Sequence, residues 1–160
     1  GIPQEKLVFY TNQYGKPIFD DSIYFNISHS GNVIAVVLDS APVGIDIEIM
    51  ALATGKGRKD KIMGRFFTPE EQRYCTASAD ENCERFYEIW TKKEAYIKKE
   101  GKGLSIPLQS FNVFSFSEED IFFHKIDTEG ITGHVCAVHK VIPEYRLLHI
   151  CDVLQRDHVD

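Results

Sequence analysis

Two acidic residues separated by one apolar residue stand in the segment "GIDIE", Gly44 to Glu48. Because side chains alternate along a strand, Asp46 and Glu48 would share one face while Ile45 and Ile47 occupy the other. Two neighbouring carboxylates can converge on a hard cation, and ligands that are all oxygen atoms favour Mg²⁺, which also takes phosphates and water. The alternative is a solvated polar face on a half-buried strand. The spacing alone leaves both interpretations open.

A third acidic residue lies in the helical segment "FYEIWTKKEAYIKKEGKG", which begins at Phe86. At ~100° per residue, Phe86 and Trp90 belong to an apolar stripe, and Lys93 falls near its middle. An unpaired buried ammonium is costly, so this lysine must extend to water or meet a partner. Glu94 lies at the edge of the stripe and Lys98 one turn further on, where the two would form an i,i+4 ion pair. Alternatively, Glu94 adds a third carboxylate to the cation site.

The segment "FNISHSG", Phe25 to Gly31, surrounds a histidine with small polar side chains directly before a glycine. Neither a hydrophobic core nor an ordinary turn needs this combination. Ser28 and His29 could bind an anion or a metal, and the remaining alternative is a histidine exposed on a surface loop. We predict a loop here, because the alternating apolar residues of the preceding strand end at Ile27.

The bulk composition, with 160 residues of which 43% are hydrophobic and 26% charged, is that of a soluble globular protein of about one domain. The net charge of −6 argues against nucleic-acid binding, which needs a basic face. No apolar run approaches the ~20 residues that span a bilayer, so no membrane partner is expected. Scattered cysteines without a C-x-x-C pair or a targeting signal predict a cytoplasmic protein with reduced thiols, not zinc or disulfides.

The carboxylates of "GIDIE" would be carried by one of three strands that open the chain. Apolar segments at 23–27, 33–39 and 43–50 predict these strands. The link "SAP", residues 40–42, is short enough to predict that the last two form an antiparallel hairpin.

Residues 59–101 have helical character, and four strands are predicted after them. "TPEE" predicts a helix start with Thr68 as N-cap and Glu71 closing a capping box. A longer helix is predicted over residues 81–100, and "ATGKGRKD" at 53–60 is predicted to be a linker because it lacks the phosphate-loop pattern. The later strands are "FNVFSF", "IFFHKI", "HVCAVHKV" and "YRLLHI". The order predicts an α+β fold with an antiparallel sheet packed against a long helix.

Four segments together carry a resemblance to a known family. "FNISHSG", "GIDIE", "RFFTPEE" and "FYEIWTKKEAYIKKEGKGLSIPLQSF" resemble the 4'-phosphopantetheinyl transferases of the surfactin-synthetase-activating (Sfp) type. Both hallmark motifs, G-[VI]-D-x-E and W-x-x-K-E-A-x-x-K, are present in the right order. The resemblance implies a Mg²⁺-dependent holo-[acyl-carrier-protein] synthase. It would move the phosphopantetheine arm of coenzyme A to a serine of an acyl or peptidyl carrier protein, in fatty-acid, polyketide or nonribosomal peptide biosynthesis, and release 3',5'-ADP.

The same resemblance implies a role for each motif residue. Asp46, Glu48 and Glu94 would be the Mg²⁺ ligands, with Mn²⁺ as an alternative metal. Lys98 would neutralise charge that develops on the phosphates of coenzyme A, and Lys93 would face the active site. Positioning and charge neutralisation are what phosphoryl transfer chiefly requires of a protein.

The resemblance also implies contacts with coenzyme A in two segments of the first 30 residues. Ser28 and His29 match nucleotide contacts, with His29 at a phosphate, so the "SHS" segment is interpreted as an anion site. Lys16 and Pro17 in "YGKP" match contacts near the adenine. Glu71 falls where the family has an acidic residue near the metal, and its capping box explains it equally well.

The resemblance also implies a domain division. The Sfp type is built from two similar halves, and only about 43 residues precede "GIDIE" here. We therefore expect residues 1–40 to be the C-terminal remnant of the N-terminal half, and residues 41–160 to be the C-terminal half of the pseudo-symmetric fold. One alternative function is a truncated, inactive module that binds coenzyme A or a carrier protein. Another is a Mg²⁺-dependent phosphodiesterase or pyrophosphatase that uses the same carboxylates.

Overall fold

The computed structural model describes residues 7–19, 23–50, 56–77, 83–117, 120–128, 130–149 and 151. These residues form an α+β fold in which antiparallel sheets pack against a long helix, which confirms the predicted fold class. None of the helices within these ranges has the length and apolar character needed to cross a membrane.

The described strands are β1 (Tyr10–Thr11), β2 (Pro17–Ile18), β3 (Tyr24–Ser30), β4 (Val33–Asp39), β5 (Gly44–Ile49), β6 (Phe122–Thr128), β7 (Ile131–Ala137) and β8 (Glu144–His149). Sheet 1 has the strand order β3-β4-β8, and sheet 2 has the order β5-β7-β6. Strands β1 and β2 form a separate short hairpin, and every pairing is antiparallel.

The predicted hairpin between the strands at 33–39 and 43–50 is wrong, although both strands exist. Strand β4 pairs with β3 and β8, whereas β5 pairs with β7 in the other sheet. The edge of β5 that does not pair with β7 is covered by β3, whose side chains accept hydrogen bonds from the backbone N–H groups of β5. Buried N–H groups need such partners, so the side chains replace the missing strand pairing. The pairs are Ile45 N to Asn26 Oδ1 (2.9 Å), Ile47 N to Ser28 Oγ (3.2 Å) and Ile49 N to Ser30 Oγ (3.0 Å).

The loop predicted at "SHS" is wrong, because β3 continues through these residues to Ser30. The turn to β4 begins at Gly31, whose φ of 55° is in the left-handed region that favours glycine. The strand extends beyond its last apolar residue, Ile27, since its inward side chains bond the neighbouring sheet and need not be apolar.

The described helices are α1 (Lys56–Phe66), α2 (Pro69–Thr76) and α3 (Glu84–Glu100). The capping box of α2 is confirmed: the Glu71 N–H donates to Thr68 Oγ1, and the Thr68 N–H donates to Glu71 Oε2 at 2.7 Å. The long helix is confirmed as α3, although residues 81–82 of its predicted start lie outside the described residues. The predicted linker is wrong from Lys56 onward, where α1 begins; residues 53–55 also lie outside the described residues.

Three of the four strands predicted after the long helix exist, as β6, β7 and β8, although β7 (Ile131–Ala137) contains only the first four residues of "HVCAVHKV". "FNVFSF" is not a strand; it contains a 3-10 turn at Val113–Ser115. Two of its three aromatic side chains pack against α3, where the ring centroids of Phe111 and Phe116 lie 4.7 and 4.6 Å from that of Tyr96. Burial of these rings on a helix replaces the strand pairing that alternation predicted.

Helix α3 crosses sheet 2 at very short range, and Gly44 makes this possible. A Cβ atom at Gly44 would lie 2.1 Å from the Ala95 carbonyl oxygen and 2.4 Å from the Lys99 nitrogen. Any larger residue would separate β5 from α3, and with it the acidic residues of the strand from those of the helix. The main core contains Val33, Ala35, Val37, Val43, Ile45, Ile47, Ile126, Val135 and Ala137. A second cluster contains Phe67, Phe86, Tyr87, Ile89 and Val113.

Buried His134 makes the stability of this packing pH-dependent. Its Nδ1 lies 2.7 Å from Thr91 Oγ1, and burial lowers the pKa of His134 to about 3, with the nearby Lys92 ammonium adding to the shift. The folded state therefore holds His134 neutral while the unfolded chain takes up a proton below pH ~6.5. We expect the free energy of unfolding to fall by about 2–3 kcal/mol between pH 6.5 and pH 4 through this residue alone.

Urea denaturation at a series of pH values measures this dependence. His134→Gln should flatten it relative to the wild type, whereas His149→Gln, at an exposed position on β8, should leave it unchanged. Equal slopes for the wild type and His134→Gln would contradict the assignment.

Candidate active site

Asp46 and Lys98 form the centre of the site, where β5 faces the last turns of α3. The Lys98 Nζ lies 2.6 Å from Asp46 Oδ1 and also donates to Ser28 Oγ at 3.1 Å. The Ser28 hydroxyl donates in turn to Asp46 Oδ1 at 3.0 Å. The i,i+4 pair between Glu94 and Lys98 does not form, because the lysine extends across to the strand.

Glu48 is held by the same kind of contacts one step along β5. The Trp90 Nε1–H donates to Glu48 Oε1 at 3.2 Å, and the Ser30 hydroxyl donates to Oε2 at 3.1 Å. Each serine of the "SHS" segment thus binds one carboxylate of "GIDIE" and one backbone N–H of β5. The polar face of β5 is therefore enclosed by α3 and β3 and is not the solvated face that the alternative predicted.

Glu94 lies on α3 and is within electrostatic range of this group. Burial raises the pKa of Glu94 to about 7; the charge of Asp46 adds to the shift, that of Lys98 opposes it, and that of Glu48 adds a smaller part. Burial also raises the pKa of Asp46, and the Lys98 ammonium opposes that shift. Among the described residues, none lies within hydrogen-bonding or ion-pair distance of the Glu94 carboxylate. The three carboxylates therefore share one region in which negative charge is incompletely compensated.

Within the described ranges, no three acidic, histidine or cysteine side chains converge closely enough to hold a metal ion as they stand. In this arrangement the Lys98 ammonium provides the positive charge that balances Asp46 Oδ1. Asp46 Oδ2 is nevertheless buried without a hydrogen-bond partner. An unpartnered buried carboxylate oxygen on the same strand face as a second carboxylate, Glu48, fits a divalent cation that takes oxygen ligands.

The position predicted for Lys93, facing the active site, is not the one observed. Lys93 and Glu71 are both fully buried, with Lys93 Nζ 2.9 Å from Glu71 Oε2. The same ammonium donates to the carbonyls of Leu108 (2.6 Å) and Phe111 (2.8 Å). Burial lowers the pKa of Lys93, and the ion pair with Glu71 opposes that shift. None of the three predicted metal ligands is among the contacts of this ammonium, so its observed role is to join α3 to the segment after it.

Glu71 likewise contacts the interior of the protein. Besides closing the capping box, its Oε1 accepts the Val113 N–H at 2.9 Å, and the residue is 0% exposed. The polar groups that contact its carboxylate within the described part of the chain are structural: Thr68 and Val113 through backbone N–H groups, and Lys93 through the ion pair.

Ser28 and His29 do not point into the same space. Strand alternation directs Ser28 inward, where it is 5% exposed, and places His29 on the outer face, opposite Ile34 of β4. The serine that sequence reasoning missed is Ser30, whose inward position follows from its spacing of two from Ser28. Trp90 was also missed, although it is the first residue of the second motif.

Lys16 lies at the end of α3, in the short hairpin of β1 and β2. Its Nζ donates to the carbonyls of Val43 (3.1 Å), Lys98 (2.7 Å) and Lys99 (3.2 Å). Burial lowers the pKa of Lys16 to about 8, and the neighbouring Lys99 ammonium adds to the shift. The lysine side chain therefore caps the helix next to Lys98, while Pro17 is exposed on β2.

Comparison with known proteins gives consistent matches. Residues 42–148 match the family model of the 4'-phosphopantetheinyl transferase superfamily. The chain is similar to the 4'-phosphopantetheinyl transferase Sfp of Bacillus subtilis (strain 168), with 38% identity over 158 residues that cover 89% of this chain and 68% of that protein. It is 36% identical over 132 residues to the 4'-phosphopantetheinyl transferase gsp of Aneurinibacillus migulanus, covering 82% of this chain and 54% of that protein.

A further 4'-phosphopantetheinyl transferase of Bacillus subtilis is 42% identical over 116 residues, which cover 71% of this chain and 50% of that protein. The chain therefore spans from half to about two thirds of the length of these curated relatives. The matched residues 42–148 include β5 and α3, which carry the acidic residues of the site.

Proposed function

The chain belongs to the 4'-phosphopantetheinyl transferase superfamily, as a member of the Sfp type, and from this premise we propose its reaction. It transfers the 4'-phosphopantetheine arm of coenzyme A to a serine of an apo acyl or peptidyl carrier protein. The serine oxygen forms a bond to the phosphorus that carries the pantetheine, the pyrophosphate bond to that phosphorus breaks, and 3',5'-ADP leaves. The three relatives are named for transfer of this group.

The observation that carries the proposal is the meeting of the two hallmark motifs across β5 and α3. Asp46 is joined to Lys98 at 2.6 Å, Glu48 is joined to Trp90 at 3.2 Å, and Glu94 shares their electrostatic environment. A strand and a helix that lie far apart in sequence thus contribute carboxylates and a cation to one place. This combination suits a phosphate-rich substrate, whose transfer depends on positioning and on charge neutralisation.

We propose that Asp46, Glu48 and Glu94 hold Mg²⁺, with Mn²⁺ as an alternative. The partnerless Asp46 Oδ2 and the all-oxygen donor set support this choice. When bound, the metal polarises phosphate oxygens and offsets the charge of the pyrophosphate. Lys98 would exchange its bond to Asp46 for a phosphate oxygen and neutralise charge on the leaving side. Glu94 is the residue we propose to take the proton of the attacking serine hydroxyl at its carboxylate.

We also propose roles for the residues that match nucleotide contacts. His29 is a candidate phosphate contact on the outer face of β3, and Ser28 is better supported as the residue that orients Asp46. Lys16 and Pro17 are candidate contacts near the adenine, with the Lys16 ammonium already engaged at the end of α3. We also propose a cytoplasmic protein, as expected from its cysteines.

We propose further that residues 41–160 are one pseudo-symmetric half of the fold and that residues 1–40 are the end of the other. Strand β8 pairs with β4, so the two proposed parts would share sheet 1.

Transfer is tested by incubating the protein with coenzyme A, Mg²⁺ and an apo carrier protein, and by measuring the intact mass of the carrier. We expect a mass gain of one phosphopantetheine and the release of 3',5'-ADP. Binding of coenzyme A or carrier without mass gain would support the alternative, a binding module that does not turn over. Release of phosphate or nucleotide without a carrier would indicate a phosphodiesterase or pyrophosphatase instead.

A further inference from the structure

A cleft of about 260 Å³ separates α1 from α3 and opens beside Glu48. Its walls combine aromatic and aliphatic side chains with charged ones, namely Glu48 and two consecutive cations of α1, Arg58 and Lys59. The remaining lining residues are Ile49, Ile62, Phe86, Tyr87 and Trp90. Of these lining residues the motif-based assignments use Glu48, and none of them uses the cations of α1.

Lys59 is the unusual feature of this cleft, because its charge is buried with no counter-charge among the described residues. The residue is only 8% exposed, and its Nζ lies over the rings of Tyr87 (4.7 Å from the centroid) and Phe86 (5.8 Å). No carboxylate among the described residues lies within ion-pair distance of it. Cation–π contacts offset part of the desolvation of an ammonium, but an anion offsets far more. The site is therefore built to receive negative charge.

The surroundings favour a small anionic ligand. Helix α1 carries five basic residues and one acidic residue in a chain whose net charge is −6, so positive charge is concentrated here against the overall balance. A cleft of about 260 Å³ is too small for a partner's helix or strand, and Lys59 is one of the residues that line it. Glu48 connects the cleft directly to the site of Asp46 and Lys98.

We infer that Lys59, with Arg58 beside it, is a phosphate-binding residue that holds the phosphate oxygens of coenzyme A on the side of Glu48 away from Lys98. The inference rests on the proposed function and deepens it. The substrate's negative charge is then met from two directions, by Lys98 from α3 and by Lys59 from α1. The guanidinium of Arg58 can add paired donors to the same group, since its planar fork matches phosphate oxygens.

Isothermal titration calorimetry of the full chain with coenzyme A and with inorganic pyrophosphate, both in the presence of Mg²⁺, tests this assignment. Lys59→Met keeps the aliphatic stem and removes the charge. We expect it to raise the Kd for both probes at least tenfold. Lys61→Met, at an exposed position on the same helix, should stay within twofold of the wild type. Pantetheine, which has no phosphate, should show no difference between the two variants.

Thermal unfolding of the same variants separates binding from folding. Lys59→Met should be at least as stable as the wild type, because it removes a buried charge that meets no carboxylate in the described part of the chain. Lys59→Arg should retain most of the affinity. Unchanged affinity of Lys59→Met for both probes would overturn the inference while leaving the proposed function intact. A rise in the KM of Lys59→Met for the carrier protein, with its affinity for coenzyme A unchanged, would also overturn the inference. That result would assign Lys59 to an acidic group of the carrier. A wild-type chain that binds neither probe would contradict the proposed function, and this inference with it.

Discussion

Glu94→Gln should lower the turnover of phosphopantetheine transfer by about 10²–10⁴-fold, the range expected when a proton acceptor is lost. The substitution preserves the size of the side chain and removes the one carboxylate of the site that has no hydrogen-bond partner among the described residues. It removes both the proposed proton acceptor and one proposed metal ligand. The rate is measured from the intact mass of the carrier protein. Glu84→Gln, at an exposed position in the first turn of the same helix, should leave it within twofold of the wild type.

The same variant should gain stability while it loses activity. Burial and the charges of Asp46 and Glu48 raise the pKa of Glu94, so its ionised form is unfavourable in the folded protein. In metal-free buffer near neutral pH we expect the free energy of unfolding of Glu94→Gln to be about 1–2 kcal/mol higher than that of the wild type. Adding Mg²⁺ should raise the Tm of the wild type and leave that of the variant nearly unchanged. Full transfer activity in Glu94→Gln would contradict the assignment of this residue. An equal rise in Tm with Mg²⁺ in the variant and the wild type would contradict it as well.

Lys93→Met should be the most destabilising of the substitutions proposed here, at about 3–5 kcal/mol. It leaves the Glu71 carboxylate buried without its counter-charge, and it leaves the carbonyls of Leu108 and Phe111 without their donor. Lys92→Met, one residue earlier, removes a partly exposed ion pair with Glu88 and should cost less than about 1 kcal/mol. Urea denaturation of the two variants compares a buried with a surface lysine at adjacent positions.

A double variant shows whether the pair itself is responsible. Glu71→Gln added to Lys93→Met should cost less than the two single substitutions summed, because the double variant holds no uncompensated charge. Strict additivity would show that the two side chains do not depend on each other. At a temperature where Lys93→Met remains folded, its turnover should stay within tenfold of the wild type. A much larger loss per folded molecule would restore the catalytic role that the motif implies for Lys93.

Local patterns in the sequence predicted most of the elements. Strand alternation placed Asp46 and Glu48 on one face, and "TPEE" predicted the capping box of Glu71, because both depend on residues within a few positions of each other. Helical periodicity identified Lys93 as a charge among apolar side chains. The failures have the same origin. Alternation predicted a strand at "FNVFSF", although rings of this segment pack on a helix. It also predicted that the first strand ends at Ile27, because a local pattern does not show what lies opposite the serines.

The sequence by itself thus determined the family and the fold class, and it placed Asp46 and Glu48 on one face of a strand, since these follow from periodicity and short motifs. Only the tertiary structure decided what each of those residues touches. Lys98 reaches Asp46 across 52 positions, and Lys93 meets Glu71 across 22, although the pattern of the helix alone would pair Lys98 with Glu94. The physical reason is that charge partners are chosen by distance in the folded state and by the cost of burying a charge alone. Neither quantity exists until strands and helices from distant parts of the chain have packed together.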